Sequence, residues 1–438
     1  MFRRKIEETL VKNYQNENAK ILIVEGARQV GKSFIVRRTA PKYFKNYFEI
    51  DLKSDYENKQ RFFSIRDTDS FYKYISSIFD LKKADISNTI IFLDEIQYYP
   101  HLITLLKDLY KERRYRYIVS GSLLGITLKH IFIPMGAIDE VEMFPLDFEE
   151  FLWANGVGTD VIDYLRSSFL NLTPINEAIH SRILLLFKEY LIAGGLPDAV
   201  KEYVLNKDVK ATRRVQTYVY AHYQDDAARY QENTKLKIAK IYEDMVSNMS
   251  NKVKRVNFKA IENKVNSSLE KYQDEFEYLV SAGVANQVKA VSNPKFPLFD
   301  VTAKNLIKLY YNDVGILTNL LFKTNIQPIL NTDKNINLGS VYEHACATEL
   351  KAHEHSLFYF DSKKVGEVDF LINDYNLLSA VAIEIKSGNN QTNFRALPKL
   401  IDKNGQYKLA KGYVFGNKNI VKQEGNLVTL PIYLIMFV

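Results

Sequence analysis

The run Gly26-Ala27-Arg28-Gln29-Val30-Gly31-Lys32-Ser33 fits the pattern G-x-x-x-x-G-K-[ST]. Each fixed residue type has a task in gripping a polyphosphate. The glycines let backbone N–H groups turn inward around phosphate oxygens, and the following helix adds its positive end. Lys32 would meet the β and γ oxygens and the Ser33 hydroxyl would bind Mg²⁺. The ligand expected is ATP with Mg²⁺, held by the residues from Gly26 to Ser33 and by Phe34, which opens the helix with them. An ordinary glycine turn is the bland alternative, and the setting after an apolar strand, Ile21 to Glu25, and before a helix weighs against it.

Carboxylates follow at the end of a second apolar run, Thr89 to Leu93, where Asp94 and Glu95 stand side by side. Ends of strands in a parallel sheet face the ligand crevice. Asp94 would hold the magnesium through a water and Glu95 would polarise the water that attacks the γ-phosphate. A helix N-cap made by Asp94 would explain only one of the two. The next strand ends in Ser120-Gly121-Ser122, making Ser120 a candidate γ-phosphate sensor, although a plain strand-to-turn Ser-Gly fits it nearly as well. Arg113 and Arg114 are either arginine fingers toward a neighbouring subunit or a solvated face.

A second group of chemistry-bearing residues lies near the C-terminus. Glu367 to Ile372 and Ala380 to Lys386 read as two strands of a hairpin turning through Asn373 to Asn376. Period two puts Glu384 and Lys386 on one face. With Asp369 facing them and Glu343 supplied by the preceding helix, carboxylates could bind a divalent metal while the lysine orients water or stabilises charge on a phosphate. A cross-strand charge pattern is the competing reading. His344, Cys346, His353 and His355 cluster nearby and read as surface residues of the helix and its exit rather than metal ligands.

The elements that must position these residues change character along the chain. Short apolar runs alternate with helical periods from Ile21 to about Gly125, the rhythm of a parallel sheet with crossover helices. From Pro145 the period is 3.6 through Phe148–Phe151, Ile183–Tyr190 and Val215–Tyr230. Phe258 to Val288 then has the order of a winged helix. Asn251 to Arg255 could meet phosphates there. The second helix, however, carries Glu270, Asp274, Glu275 and Glu277, which would repel a duplex, so a structural role is the expectation. A closing α/β segment follows Gly339, with Leu430 to Val438 as a final buried strand. The expected fold class is α/β, with an ATPase domain over 1–150, a helical and winged-helix-like region over 151–325 and a last domain over 326–438. A chain of 438 residues accommodates about three such domains.

Composition adds exclusions. With 46% hydrophobic and 25% charged residues, wholesale disorder is out, and a net charge of +7 permits nucleic-acid contact without requiring it. The single cysteine, Cys346, cannot make an internal disulfide, so a reducing cytoplasm fits. Met1 to Lys5 lacks the apolar core of a signal peptide, and Leu430 to Val438 is far too short to cross a bilayer.

Taken together, Gly26–Ser33, Leu93–Gln97, Ser120-Gly121-Ser122, Phe144-Pro145-Leu146 with Phe148–Phe151, and Gly194-Gly195-Leu196-Pro197 resemble the AAA+ P-loop ATPases of bacteria and archaea that carry a C-terminal restriction-endonuclease-like domain. One departure is Ala137 after Gly136, where relatives usually have a basic residue. The carboxylates Asp369 and Glu384 with Lys386 resemble the D…(E)-x-K centre of such nucleases. The resemblance implies Mg²⁺-dependent ATP hydrolysis driving a conformational switch, coupled to a nuclease-like domain that contacts DNA or another nucleic acid. The alternative is a regulatory ATP-binding protein whose nuclease-like domain is an inactive module that docks a protein partner.

Overall fold

The computed structural model describes residues 2–82, 84–122, 136–227, 232–250, 254–257, 261, 269–301, 306–333, 336–388 and 394–438. The architecture is α/β: a five-stranded parallel sheet of the kind P-loop NTPases have, a helical middle region and a C-terminal mixed sheet. The chain forms two compact units, Arg3–Phe144 with Ser281–Gly283, and the remainder from Pro145 onward with Met1–Phe2.

In the N-terminal unit, β1 (Ile21–Glu25), β2 (Asn46–Asp51), β3 (Thr89–Asp94), β4 (Arg116–Gly121) and β5 (Ile138–Glu142) lie in the order β2-β3-β4-β1-β5. Every pairing is parallel. All of β3 is buried, and its apolar run Ile90–Leu93 is what a strand covered on both faces requires. Registers Val24↔Ser120 and Leu93↔Val119 bring the carboxyl ends of β1, β4 and β3 to one edge. The helix Lys32–Thr39 starts there and buries Ile35 and Val36 beneath it.

The other unit begins with helices Phe148–Ala154, Thr159–Asn171, Glu177–Ala193, Pro197–Val204, Val209–Ala227 and Glu232–Ser250, followed by Gln273–Ser281, which ends at the segment that groups with the N-terminal unit. An eight-stranded sheet follows, built from β6 (Ala285–Val291), β7 (Ile307–Tyr311), β8 (Phe358–Ser362), β9 (Gly366–Asp374), β10 (Ser379–Lys386), β11 (Lys411–Gly416), β12 (Lys422–Glu424) and β13 (Leu427–Pro431). Its order is β12-β13-β11-β10-β9-β8-β6-β7. The helix Gly339–Ala352 is buried without interruption from Ser340 to Leu350.

Two expectations change here. The strand β6, in which the segment expected as a winged helix ends, pairs with β7 and with β8 and so belongs to the C-terminal sheet. The boundary expected at 325/326 therefore falls inside one compact unit, because strand pairing joins residues far apart in sequence. Residues 258–260 and 262–268 of the winged-helix reading lie outside the described residues. The chain's last apolar run is not one strand: β13 stops at Pro431 and Ile432–Phe437 winds as a buried 3-10 turn. An apolar run reports burial, and proline cannot extend a ladder.

The Gly194-Gly195 motif is a packing corner. Asp313 caps the helix Val314–Phe322 and accepts the Gly195 N–H, while a Cβ on Gly195 would lie 2.1 Å from the Leu146 carbonyl oxygen. Gly195→Ala is expected to lower stability by about 1–3 kcal/mol through overpacking, read as a lower urea midpoint at unchanged slope.

Candidate nucleotide site and C-terminal carboxylate cluster

The loop after β1 needs its glycines. Gly26 has φ 138 with a Cβ position 2.2 Å from the Met143 carbonyl oxygen, and Gly31 has φ 101. Lys32 turns its buried ammonium back into the loop, donating to the carbonyls of Gly26 at 2.9 Å and Ala27 at 2.8 Å. Burial lowers its pKa against the pull of Glu95 and Asp94. Ala27 and Val30 are buried, whereas Phe34 is exposed on the helix surface.

Asp94 is the hub. Ser33 Oγ donates to its Oδ1 at 2.8 Å and Ser120 Oγ donates to the same oxygen. Burial raises the Asp94 pKa, opposed by these two hydroxyls. Arg37 Nη2 lies 3.4 Å from Oδ2 while its guanidinium grips Glu49. Glu95 sits at φ 60 with its N–H on Ser120 Oγ at 3.1 Å. Its Oε2 accepts from Ser122 Oγ at 2.9 Å and from Gln97 Nε2. Burial pushes Glu95 up, yet Lys32, Gln97 and Ser122 outweigh it and hold the carboxyl below its ordinary value. Arg28 reaches Ser122 Oγ at 3.4 Å and the Tyr98 hydroxyl at 3.3 Å.

The structure thus brings Lys32, Ser33, Asp94, Glu95 and Ser120 together. Sequence reasoning missed Arg37, whose signal was its position one helical turn after Ser33. Arg113 bonds Asn18 at 3.2 Å and the Glu17 carbonyl at 2.9 Å, and the Arg114 guanidinium lies 4.1 Å from the Tyr72 ring centroid; both arginines are held at the unit's own surface.

At the C-terminal cluster the register Ile383↔Phe370 continues to set Asp369 beside Glu384. Lys386 Nζ bonds Glu384 Oε1 at 2.6 Å and Asp369 Oδ2 accepts the Ile385 N–H at 2.7 Å. Glu343 is occupied differently. Lys308, fully buried on β7, lies 3.0 Å from its Oε1 and 2.8 Å from Glu367, and Lys254 and the Tyr310 hydroxyl also bond Glu343. Burial would raise Glu343, but the two lysines drive it down to about 2. Asp369 and Glu343 are near enough to add to burial in raising Glu384, whereas the three-ligand grouping found among the described residues with ligand atoms within 4.8 Å of one another is Asp147, Glu349 and His353. Ammonium groups thus stand against Glu343 where metal coordination was expected.

Further corrections concern the basic run and the histidines. Of the basic run, residues 251–253 lie outside the described residues; Lys254 is committed to Glu343, and Arg255 pairs with Asp361 at 2.7 Å and Glu367 at 3.2 Å, so these two cations are engaged with acids of the chain itself. His344 and Cys346 are fully buried, not surface residues. His344 Nε2 lies 2.9 Å from the Tyr311 carbonyl, and burial lowers its pKa to about 3. Their helix is enclosed on all sides, which amphipathic periodicity does not reveal.

Residues 18–152 match a family model described as an AAA domain. Residues 184–327 and 338–435 match two models described as domains of unknown function, DUF8612 and DUF4143. The chain is 23% identical to the uncharacterized protein MJ1637 of Methanocaldococcus jannaschii over 97% of this chain and 86% of that one. It is similar to the solved Walker-type ATPase PABY2304 of Pyrococcus abyssi at 16% identity and TM-score 0.44, covering 73% of this chain and 96% of that one. A RuvB variant of Thermotoga maritima aligns at 9% identity and TM-score 0.28, covering 65% and 89%. The AAA match and the loop geometry support ATP binding and hydrolysis by the N-terminal unit. No described helix is long and apolar enough to cross a membrane.

The carboxylate cluster has a pH signature. Burial first, then Asp369, raises Glu384 to about 8. A carboxyl raised in the fold stabilises fully below its unfolded pKa and loses that contribution as pH rises through the folded value. Wild type should therefore lose stability as pH rises from about 5 through about 8, by at most on the order of 5 kcal/mol from this group. Glu384→Gln keeps an acceptor for Lys386 and should remove most of that slope. Parallel melting curves of the two proteins across this range would exclude the assignment.

Proposed function

We propose that this chain is a Mg²⁺-dependent ATP hydrolase whose nucleotide cycle works as a conformational switch on its C-terminal half. The observation that supports it most directly is the bond between Ser33 of the loop and Asp94 of β3. Two oxygens suited to one hard cation stand 2.8 Å apart, next to a lysine that holds only loop carbonyls. In this reading Gly26 to Phe34 cradle the phosphates, Lys32 swings from the loop carbonyls to the β and γ oxygens, and Ser33 and Asp94 hold Mg²⁺. Bound Mg²⁺ neutralises charge on the phosphate oxygens. Glu95 orients the attacking water and accepts its proton, once released from Ser122 and Gln97. Ser120 senses the γ-phosphate from its place between Asp94 and the Glu95 amide.

Coupling has a structural basis within the N-terminal unit. Ser281–Gly283, immediately before β6, groups with that unit, and a Cβ on Gly283 would lie 3.1 Å from the Ala27 nitrogen. In this reading a rearrangement of the phosphate loop would be passed to the residues leading into the second sheet.

For residues 326–438 we keep a restriction-endonuclease-like core in the proposal, to which β6 and β7 add an edge. The lysines on Glu343 favour the reading in which this domain docks a protein partner and does not cut nucleic acid. An ammonium supplies charge but no Lewis-acid site for a scissile phosphate.

Lys32→Ala should weaken ATP binding by roughly a hundredfold in calorimetry, since it removes a charge-assisted contact to the phosphates. Glu95→Gln should keep ATP affinity and lose turnover by about 10²–10⁴-fold. Equal turnover in that variant removes Glu95 from the chemistry. Asp369→Ala should leave ATP hydrolysis intact, and wild type should cut neither DNA nor RNA with Mg²⁺ or Mn²⁺. Metal-dependent cutting that Asp369→Ala abolishes would reinstate the nuclease reading.

A further inference from the structure

Away from both clusters, the second unit holds a group of a different composition. Asp147 precedes the helix Phe148–Ala154, and its Oδ1 accepts the Glu150 N–H at 2.8 Å. Glu349, on the helix Gly339–Ala352, gives its Oε2 to the Phe148 N–H at 2.9 Å. Each carboxylate thus spends one oxygen fixing the first turn of the same helix. Their other oxygens converge on one atom: Asp147 Oδ2 lies 3.8 Å and Glu349 Oε1 3.7 Å from His353 Nε2. All three ligand atoms lie within 4.8 Å of one another.

The imidazole is oriented from its far side. His353 Nδ1 lies 3.1 Å from the main-chain oxygen of Val438, which can only accept, so Nδ1 carries the hydrogen. In the neutral ring Nε2 then presents its lone pair toward the carboxylate oxygens. Separations of 3.7–3.8 Å exceed hydrogen-bond length, and a bound ion would draw these donors together by a few tenths of an ångström. Metal–ligand bonds near 2.1 Å place neighbouring donors roughly 3.0–3.5 Å apart. The outer shell also fits, since ligating histidines usually donate their other N–H to an oxygen and ligating carboxylates are themselves hydrogen-bonded. The carboxylates are 5% and 2% exposed, and the histidine side chain, 16% exposed, opens the site to solvent.

We propose that Asp147, Glu349 and His353 bind a divalent first-row transition metal ion, Zn²⁺ or Mn²⁺, tying the start of the helix Phe148–Ala154 to the helix Gly339–Ala352. One imidazole with two carboxylates suits these ions better than Mg²⁺ or Ca²⁺, which prefer all-oxygen sets. The role is structural and independent of the nucleotide.

The test uses the full chain, stripped with chelator and free of nucleotide. Calorimetry with Zn²⁺ and Mn²⁺ should show one equivalent bound and a melting temperature raised by several degrees at saturation. His353→Ala should lose that equivalent and the rise, while Asp369→Asn with Glu384→Gln should keep both, separating this site from the carboxylate cluster. If His353→Ala does not fold, pulsed EPR of Mn²⁺ on wild type decides, with imidazole nitrogen coupling expected. No binding by wild type, binding unchanged in His353→Ala, or Mn²⁺ without nitrogen coupling each overturns the proposal.

Discussion

A carboxylate at the end of a fully buried strand has to be neutralised, and the N-terminal unit is arranged around doing so for Asp94. Its Oδ1 collects the hydroxyls of Ser33 and Ser120, which come from the loop after β1 and the end of β4, and its Oδ2 meets Arg37. The parallel register makes this unavoidable, because β4 lies between β1 and β3 and all three end at one edge. Hydroxyls are weak partners for a buried charge. Burial still raises the Asp94 pKa against them, which leaves the carboxylate with unmet demand that a small cation would satisfy.

Within the C-terminal cluster Glu343 meets the same problem in the opposite way, while burial raises Asp369 and Glu384 as it raises Asp94. Glu343 is as deeply buried as Asp94, but its partners are ammonium groups, and their charge drives its pKa down where hydroxyls left that of Asp94 raised. Removing water from an ion costs several kcal/mol, and an opposite charge within about 3 Å is the remedy proteins use when no metal is available. Lys308 is fully buried between Glu343 and Glu367, and displacing it in favour of a metal would strand an ammonium in the interior. Glu343 and Asp94 differ in this respect, ammonium groups against hydroxyls, more than in the acid itself.

The contrast explains what the sequence disclosed. The phosphate loop was legible because its chemistry is local: Gly26, Gly31, Lys32 and Ser33 act through spacings that are fixed by a single turn. Asp94, Glu95 and Ser120 followed because strand ends in a parallel sheet share an edge. Asp369, Glu384 and Lys386 were legible as a face of two neighbouring strands, whose pairing the hairpin turn sets. Lys308 and Lys254 were not, since they precede Glu343 by tens of residues and only the tertiary fold, with β6 and β7 joining strands β8 to β13, brings them to it. The same long-range pairing drew β6, in which the expected winged helix ends, into that sheet. His353 was dismissed with its neighbours because polar residues around a helix exit suggest solvent. What distinguishes it is Asp147, some 200 residues earlier in the chain, and no local pattern connects them.

Within the proposed mechanism, the resting geometry of Glu95 has a consequence for when hydrolysis can occur. Its carboxylate is held by Ser122 and Gln97 and sits in the field of Lys32, while Lys32 itself is bound to the carbonyls of Gly26 and Ala27. Lys32 therefore acts as counter-charge to the base before it acts on phosphate. When its ammonium turns to the β and γ oxygens, Glu95 loses the largest favourable influence on its charged form and its proton affinity rises. A carboxylate kept weakly basic without nucleotide becomes a better base as the phosphates arrive. Each hydrogen bond to a charged group is worth about 1.5–3 kcal/mol, so releasing Ser122 and Gln97 is a barrier of the size that nucleotide binding can supply. In that proposal the lysine that would recognise the phosphates would also withhold the base until they are bound.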